Sequence, residues 1–206
     1  MNVVDLHRMD YLEAWEVQLK VAEEVQAGAE DTLILVEHPA VLTLGANFHE
    51  ENLLHPIEFY SDRGIAIHRT DRGGDVTYHG PGQLVVYPVF NLVRHGKDLH
   101  RWLRQLEETM ILTCADFGIA ARRFPPHTGA WVQDKKVAAI GIKVKRWVSI
   151  HGIALNCDCP LEVFDTFVPC GIKDYGVTNL TEAAQRRVTI DEAKPATVQA
   201  FEQLFG

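Results

Sequence analysis

Cys170 stands in Phe167-Val-Pro-Cys-Gly-Ile172, between a proline and a glycine, a poor setting for a side chain whose task is packing. A thiol at its ordinary pKa of about 8.5 is only about 3% ionised at pH 7. Bringing it to roughly 7 takes about 2 kcal/mol of differential stabilisation. One nearby ammonium, or the adjacent N–H groups of Gly171 and Ile172, can supply that, and the N–H groups can also support an oxyanion. Lysines are available in Asp134-Lys135-Lys136, which reads as a turn between strands, where neighbouring lysines are ordinarily solvated. A strand that begins near residue 135 sends the two to opposite faces, so one is wet while the other looks into a site. Chemistry alone leaves Cys170 as either a small buried hydrophobe or a nucleophile.

Two other stretches have the composition of a binding site. Asp71-Arg-Gly-Gly-Asp-Val-Thr-Tyr-His-Gly-Pro-Gly-Gln83 carries four glycines among polar side chains. It is either a long ordered connection between strands or a substrate-binding loop with free backbone N–H groups. It is no P-loop, because no Gly-Lys-Ser/Thr follows, and no dinucleotide fingerprint, because the glycines are wrongly spaced and no helix opens after them. In Val148-Ser-Ile-His-Gly-Ile-Ala-Leu-Asn156, Gly152 and Ala154 leave a strip of low bulk along one strand face. Such a strip is tight packing or the wall of a slot for a linear apolar ligand. His151 reads equally as a core histidine or a catalytic one. Cys114, Cys157 and Cys159 read as buried, reduced thiols; Cys157-Asp158-Cys159 lacks zinc-ligand spacing, so no metal is expected.

The elements that position these residues follow from periodicity. Residues 10–26 form an amphipathic helix, with a capping-box-like start at Asp10 and Glu13 and a stripe of Tyr11, Ala14, Trp15, Leu19, Ala22 and Val25. Short strands are expected at 32–36, 41–44, 65–68 and 84–90, with Pro88 suggesting an edge or a bulge in the last. A helix over 98–117 buries Leu99, Trp102, Leu103, Leu106, Met110 and Phe117, and Gly118 stops it. After a turn at Pro125-Pro126, strands follow at 130–132, 137–148 and 149–156. Thr189 and Glu192 cap a last helix that Pro195 should interrupt. Strands in adjacent runs favour hairpin pairing, so the expected class is α+β, a mixed sheet packed with helices.

The chain has 206 residues, is 47% hydrophobic and carries a formal net charge of −8. That fits one domain over residues 1–206 and argues against a nucleic-acid partner, which calls for a basic face. The N-terminal residues lack the pattern of a secretory signal, and Leu-Val-Val-Tyr-Pro-Val-Phe-Asn-Leu-Val is about half a membrane span. A cytoplasmic protein with no membrane partner is expected.

Taken together, these stretches resemble the lipoyl(octanoyl) transferase family, the octanoyl-[acyl-carrier-protein]:protein N-octanoyltransferases. The likeness runs from about 32 to 190, and its most specific marker is Arg-Gly-Gly-Asp-Val-Thr-Tyr-His-Gly-Pro-Gly-Gln at 72–83. The others are Gly-Ala-Trp-Val with Lys-Lys-Val-Ala-Ala-Ile-Gly, His-Gly-Ile-Ala-Leu-Asn and Val-Pro-Cys-Gly-Ile. The resemblance implies the fold of lipoate and biotin protein ligase catalytic domains. It pairs a catalytic cysteine with a lysine 34 positions earlier, and 170 − 34 = 136 selects Lys136 over Lys135. It implies that Cys170 takes the octanoyl group from octanoyl-acyl carrier protein as a thioester and that a lipoyl-domain lysine then accepts it. The acceptors implied are lipoyl domains of 2-oxoacid dehydrogenase complexes and the glycine cleavage H protein. No cofactor is implied, because thioester to amide runs downhill.

By the same resemblance Arg72, Gly73, Gly74, Asp75, Val76, Thr77, Tyr78 and His79 line the acyl site, with Ala139, Ile140, Gly141, Gly152, Ile153 and Ala154. Some members carry a serine where this chain has Ala139, so a backbone N–H must serve there. Because the protein partners tend to be acidic, Arg122, Arg123, Lys143, Lys145 and Arg146 are expected to form a local basic patch at the mouth. The rival readings are an ATP-dependent lipoate or biotin ligase, a non-catalytic acyl-binding protein, and a cysteine hydrolase using His79 or His151.

Overall fold

The computed structural model describes residues 1–169 and 175–206. The first half of the chain runs β1 (Asn2–Arg8), α1 (Tyr11–Gln26), β2 (Thr32–Glu37), β3 (Val41–Leu44), α2 (Ile57–Ser61), β4 (Ala66–Arg69), β5 (Val76–His79) and β6 (Gln83–Val89). The second half runs α3 (Leu99–Ala115), β7 (Arg122–Phe124), β8 (His127–Val132), β9 (Lys135–Lys145), β10 (Val148–Asn156), β11 (Gly176–Val177), α4 (Leu180–Ala184) and α5 (Ile190–Phe205). The large sheet has the order β1-β2-β6-β10-β9-β8-β7, with β11 added parallel to β9, and a small sheet has the order β4-β3-β5. Parallel pairs (β1 with β2, β3 with β4) stand among antiparallel ones, so the sheets are mixed. Among the described residues no helix is long and apolar enough to cross a membrane.

Helices cover both faces of the large sheet. On one side α3 and α5 bring Trp102, Leu106, Met110 and Phe201 onto Leu33, Leu84, Ile153 and Leu155. On the other, α1 lays Ala14 and Val25 against Ile34, Val36, Val85 and Tyr87. The small sheet has its own core, where Leu42, Val76 and Tyr78 meet Phe164 and Phe167.

Several expectations need correction, each for a local reason. The buried stripe of α1 takes in Gln18 rather than Leu19, which is exposed. Gln18 Oε1 accepts the His151 backbone N–H at 2.8 Å. Pro88 is not in an edge strand, since β6 lies between β2 and β10. The β6–β10 ladder opens between the Val86–Ile153 pair and the Asn91–Val148 bridge, where Pro88 has no N–H to offer. Leu99, the first residue of α3, is exposed instead of buried. Pro195 does not interrupt α5: the carbonyl it leaves without a partner belongs to Asp191 in the first turn, and the capping box of Thr189 and Glu192 holds that end. Strands β1, β5, β7 and β11 were not anticipated.

Gly152 resolves one ambiguity of the low-bulk strip. A Cβ there would lie 2.1 Å from the Val86 carbonyl oxygen and 2.7 Å from Pro88 Cδ, both on β6. Neither can swing away, so tight packing demands the glycine. Gly152→Ala should lower unfolding stability by about 3 kcal/mol, read as a shift of the urea midpoint. An unchanged midpoint would show that β6 can yield.

Candidate active site

The large sheet, the segment 71–75 and the inner edge of β5 line a pocket with about 440 Å³ of empty space, part of it open to solvent. From the first half of the chain it is lined by Arg72, Gly73, Gly74, Thr77 and His79. From β9 and β10 it is lined by Ala139, Ile140, Gly141, Gly152, Ile153 and Ala154. Three of the expected lining residues turn away. In β5 side chains alternate, so Thr77 and His79 face the cavity while Val76 and Tyr78 enter the small-sheet core. Asp75 also points elsewhere: its carboxylate accepts from Asn52 Nδ2 at 2.6 Å and from the Val76 N–H at 2.7 Å.

The loop is tied to its neighbours at several points along its backbone. Gly73 N–H donates to the Ile142 carbonyl, while the carbonyls of Arg72, Gly74 and Asp75 accept from Ala46, Asn47 and Gly45. Arg72 is 5% exposed and acts as the loop's internal brace: its guanidinium donates to Thr43 Oγ1, to the Thr43 carbonyl and to the Asp75 carbonyl. Gly74 sits at φ +88°, which only glycine adopts without strain. A closely tied loop gives the cavity a fixed wall.

At the entrance to this loop, Asp71 bridges β9 and β10. It accepts from Lys143 Nζ at 2.5 Å and from His151 Nε2 at 2.7 Å. Burial pushes the Asp71 carboxyl up, but these two bonds outweigh it and hold the group below its ordinary value. Burial pulls His151 down, against the pull of Asp71. His151, at φ +58°, thus has a structural task at the loop base.

Behind the cavity lies a cluster that periodicity did not reveal. Tyr11 stacks on His79 with ring centroids 5.9 Å apart, and His38 meets both edge-on. His38 Nδ1 donates to the Met9 carbonyl, so its Nε2 accepts from the Tyr87 hydroxyl at 2.8 Å. Burial holds His38 down at about 4 and His79 at about 3, and pushes Tyr11 up to about 12. These groups stay neutral across the physiological range. Nothing local in the sequence marks His38, because its partners are Met9, Tyr11 and, on β6, Tyr87.

The two lysines part as strand alternation requires. Lys135 is exposed, whereas Lys136 is 8% exposed with Nζ 4.9 Å from the centre of the Trp131 ring. Among the described residues no carboxylate pairs with Lys136. It lines a smaller cavity of about 300 Å³ that shares Thr77, Ala139 and Ala154 with the larger one. Pro169 and Val177 line that small cavity too, and Val177 pairs with Lys136 in the sheet. Tyr175 packs edge-on against Trp131.

Cys170 lies outside the described residues, as do Gly171 and Ile172. The other thiols are all buried; burial pushes Cys114 and Cys159 up to about 12 and Cys157 higher still. Two of the five cations expected at the mouth are paired with acids. Arg123 is taken by Glu107 and Glu108, and Lys143 by Asp71.

This mixed-sheet fold is that of lipoate and biotin protein ligase catalytic domains. A lipoate-protein ligase A solved with bound ATP superposes on 98% of this chain and 84% of its own with a TM-score of 0.83 at 17% identity. For the biotin protein ligase of Aquifex aeolicus the TM-score is 0.51 at 15% identity, over 98% of this chain and 68% of that one. Sequence is more specific. The octanoyltransferase of Geotalea uraniireducens (strain Rf4) is 46% identical over 203 residues, 98% of this chain and 92% of that protein. Residues 10–202 match the lipoyl protein ligase A/B catalytic domain, and the chain belongs to that family.

Proposed function

We propose that this chain transfers octanoyl groups in protein lipoylation, with Cys170 as nucleophile and Lys136 as its proton partner in one catalytic domain spanning residues 1–206. The octanoyltransferase relatives support the reaction, and one observation supports the residues. Pro169 and Val177, on either side of 170–174, share a small cavity with Lys136, and that cavity adjoins the larger pocket walled by Ile140, Ile153 and Ala154.

The chemistry proceeds in two steps. The Cys170 thiolate attacks the thioester carbonyl of octanoyl-acyl carrier protein; the carbon–sulfur bond to phosphopantetheine breaks, and the departing thiolate takes up a proton. The acceptor lysine amine of a lipoyl domain then attacks the Cys170 thioester, the amide bond forms, and the cysteine leaves as thiolate. Lys136 can support the thiolate as an ammonium and accept the amine's proton as a free base. The cavity wall of Ile140, Ile153 and Ala154 suits the hydrocarbon, at on the order of 0.8 kcal/mol per methylene buried. Lipoyl domains of 2-oxoacid dehydrogenase complexes and the glycine cleavage H protein are the acceptors, and the cytoplasm is the site of reaction.

The fold is shared with an ATP-bound ligase, so energy source is the discriminating test. Octanoyl-acyl carrier protein and a lipoyl domain should yield octanoylated domain without nucleotide. Modification that instead requires ATP and free acid would make the protein a ligase.

A further inference from the structure

The tautomer of His79 can be traced from a backbone carbonyl. Thr178 O can only accept, so Asn156, 3.0 Å away, turns Nδ2 toward it. Asn156 Oδ1 then accepts from Gln83 Nε2 at 2.9 Å, and the same Nε2 reaches the Tyr78 carbonyl at 3.1 Å. Gln83 is left with Oε1 facing His79 Nδ1 at 2.8 Å, and the ring must donate there. Gln83 is 2% exposed and Asn156 4%, so water does not compete. A buried polar chain in which each link fixes the next has one low-energy arrangement. The chain continues past Thr178, whose N–H donates to the Lys136 carbonyl at 3.0 Å.

We propose that Gln83 and Asn156 are positioning residues that fix His79 as the Nδ1–H tautomer and couple it to the strand bearing Lys136, so that His79 Nε2 serves the acyl cavity as a hydrogen-bond acceptor. His79 is then no donor to the thioester carbonyl; it can receive an N–H of the incoming amine. The groups facing it are Tyr11, His38, Arg72 and His151. Burial keeps the ring neutral, His38, Arg72 and His151 press the same way, and the Gln83 bond opposes them without reversing the outcome. The tautomer stands on geometry alone; its kinetic consequence rests on the octanoyl-transfer reading.

The test is ¹⁵N NMR of the imidazole nitrogens in the full chain, with His79→Gln identifying the signals. His79 should show a protonated Nδ1 and a lone-pair Nε2, with no titration between pH 5 and 8. Gln83→Leu and Asn156→Leu should each mix in the Nε2–H form and lower kcat about tenfold or more, with KM for the octanoyl donor nearly unchanged. A native ring protonated at Nε2, or a tautomer that ignores both substitutions, would overturn the proposal. Should the variants fail to fold, the native spectrum alone decides. A native protein with the expected tautomer but no octanoyl transfer would sink the functional reading and leave the tautomer intact.

Discussion

Lys136→Ala slows octanoyl-enzyme formation at pH 7 by up to about 30-fold, because a thiol returned to its ordinary pKa of about 8.5 is only about 3% thiolate. Discharge to the lipoyl-domain amine suffers more, by about 10²–10⁴-fold, because a positioned proton acceptor is lost. The two steps separate with pH. Raising the pH through about 8.5 ionises the thiol without help, so acylation recovers at pH 9 while discharge recovers less. Lys136→Arg keeps a cation but cannot release its proton, so it should restore acylation and leave discharge slow. Lys135→Ala is the control: Lys135 is exposed on the opposite face and should change either step by no more than about twofold. Stopped-time acyl-enzyme measurements at both pH values check these outcomes. Equal losses from Lys135 and Lys136 would remove Lys136 from the mechanism.

Much of this arrangement was legible in the sequence because it is local. Alternation about residue 135 separates the two lysines, and the capping signals at Asp10 and Thr189 mark their helices. The same alternation, applied to β5, would have turned Val76 and Tyr78 away from the cavity, but β5 was hidden inside a stretch read as loop. What remained illegible depends on partners far along the chain. His38 gains its role from Met9 and Tyr87. Gln18 sits in an apolar stripe because it takes up the His151 N–H on β10, far along the chain. Arg123 resembles a docking cation until α3 presents Glu107 and Glu108 to it. Gln83 and Asn156 look like strand-end polar residues and become informative once β6, β10 and the segment after 175 converge.

The largest expected effect is that of Cys170→Ser. The hydroxyl is scarcely ionised at neutral pH and has no thiolate to offer, so transfer should fall by on the order of 10³-fold or more. The deciding measurement is the intact mass of the protein after exposure to octanoyl-acyl carrier protein. The native chain should gain one octanoyl group, Cys170→Ser should gain none, and adding a lipoyl domain should return the native chain to its original mass. A native chain that transfers octanoyl without carrying an adduct, or a Cys170→Ser variant that still becomes acylated at the native rate, would contradict the account.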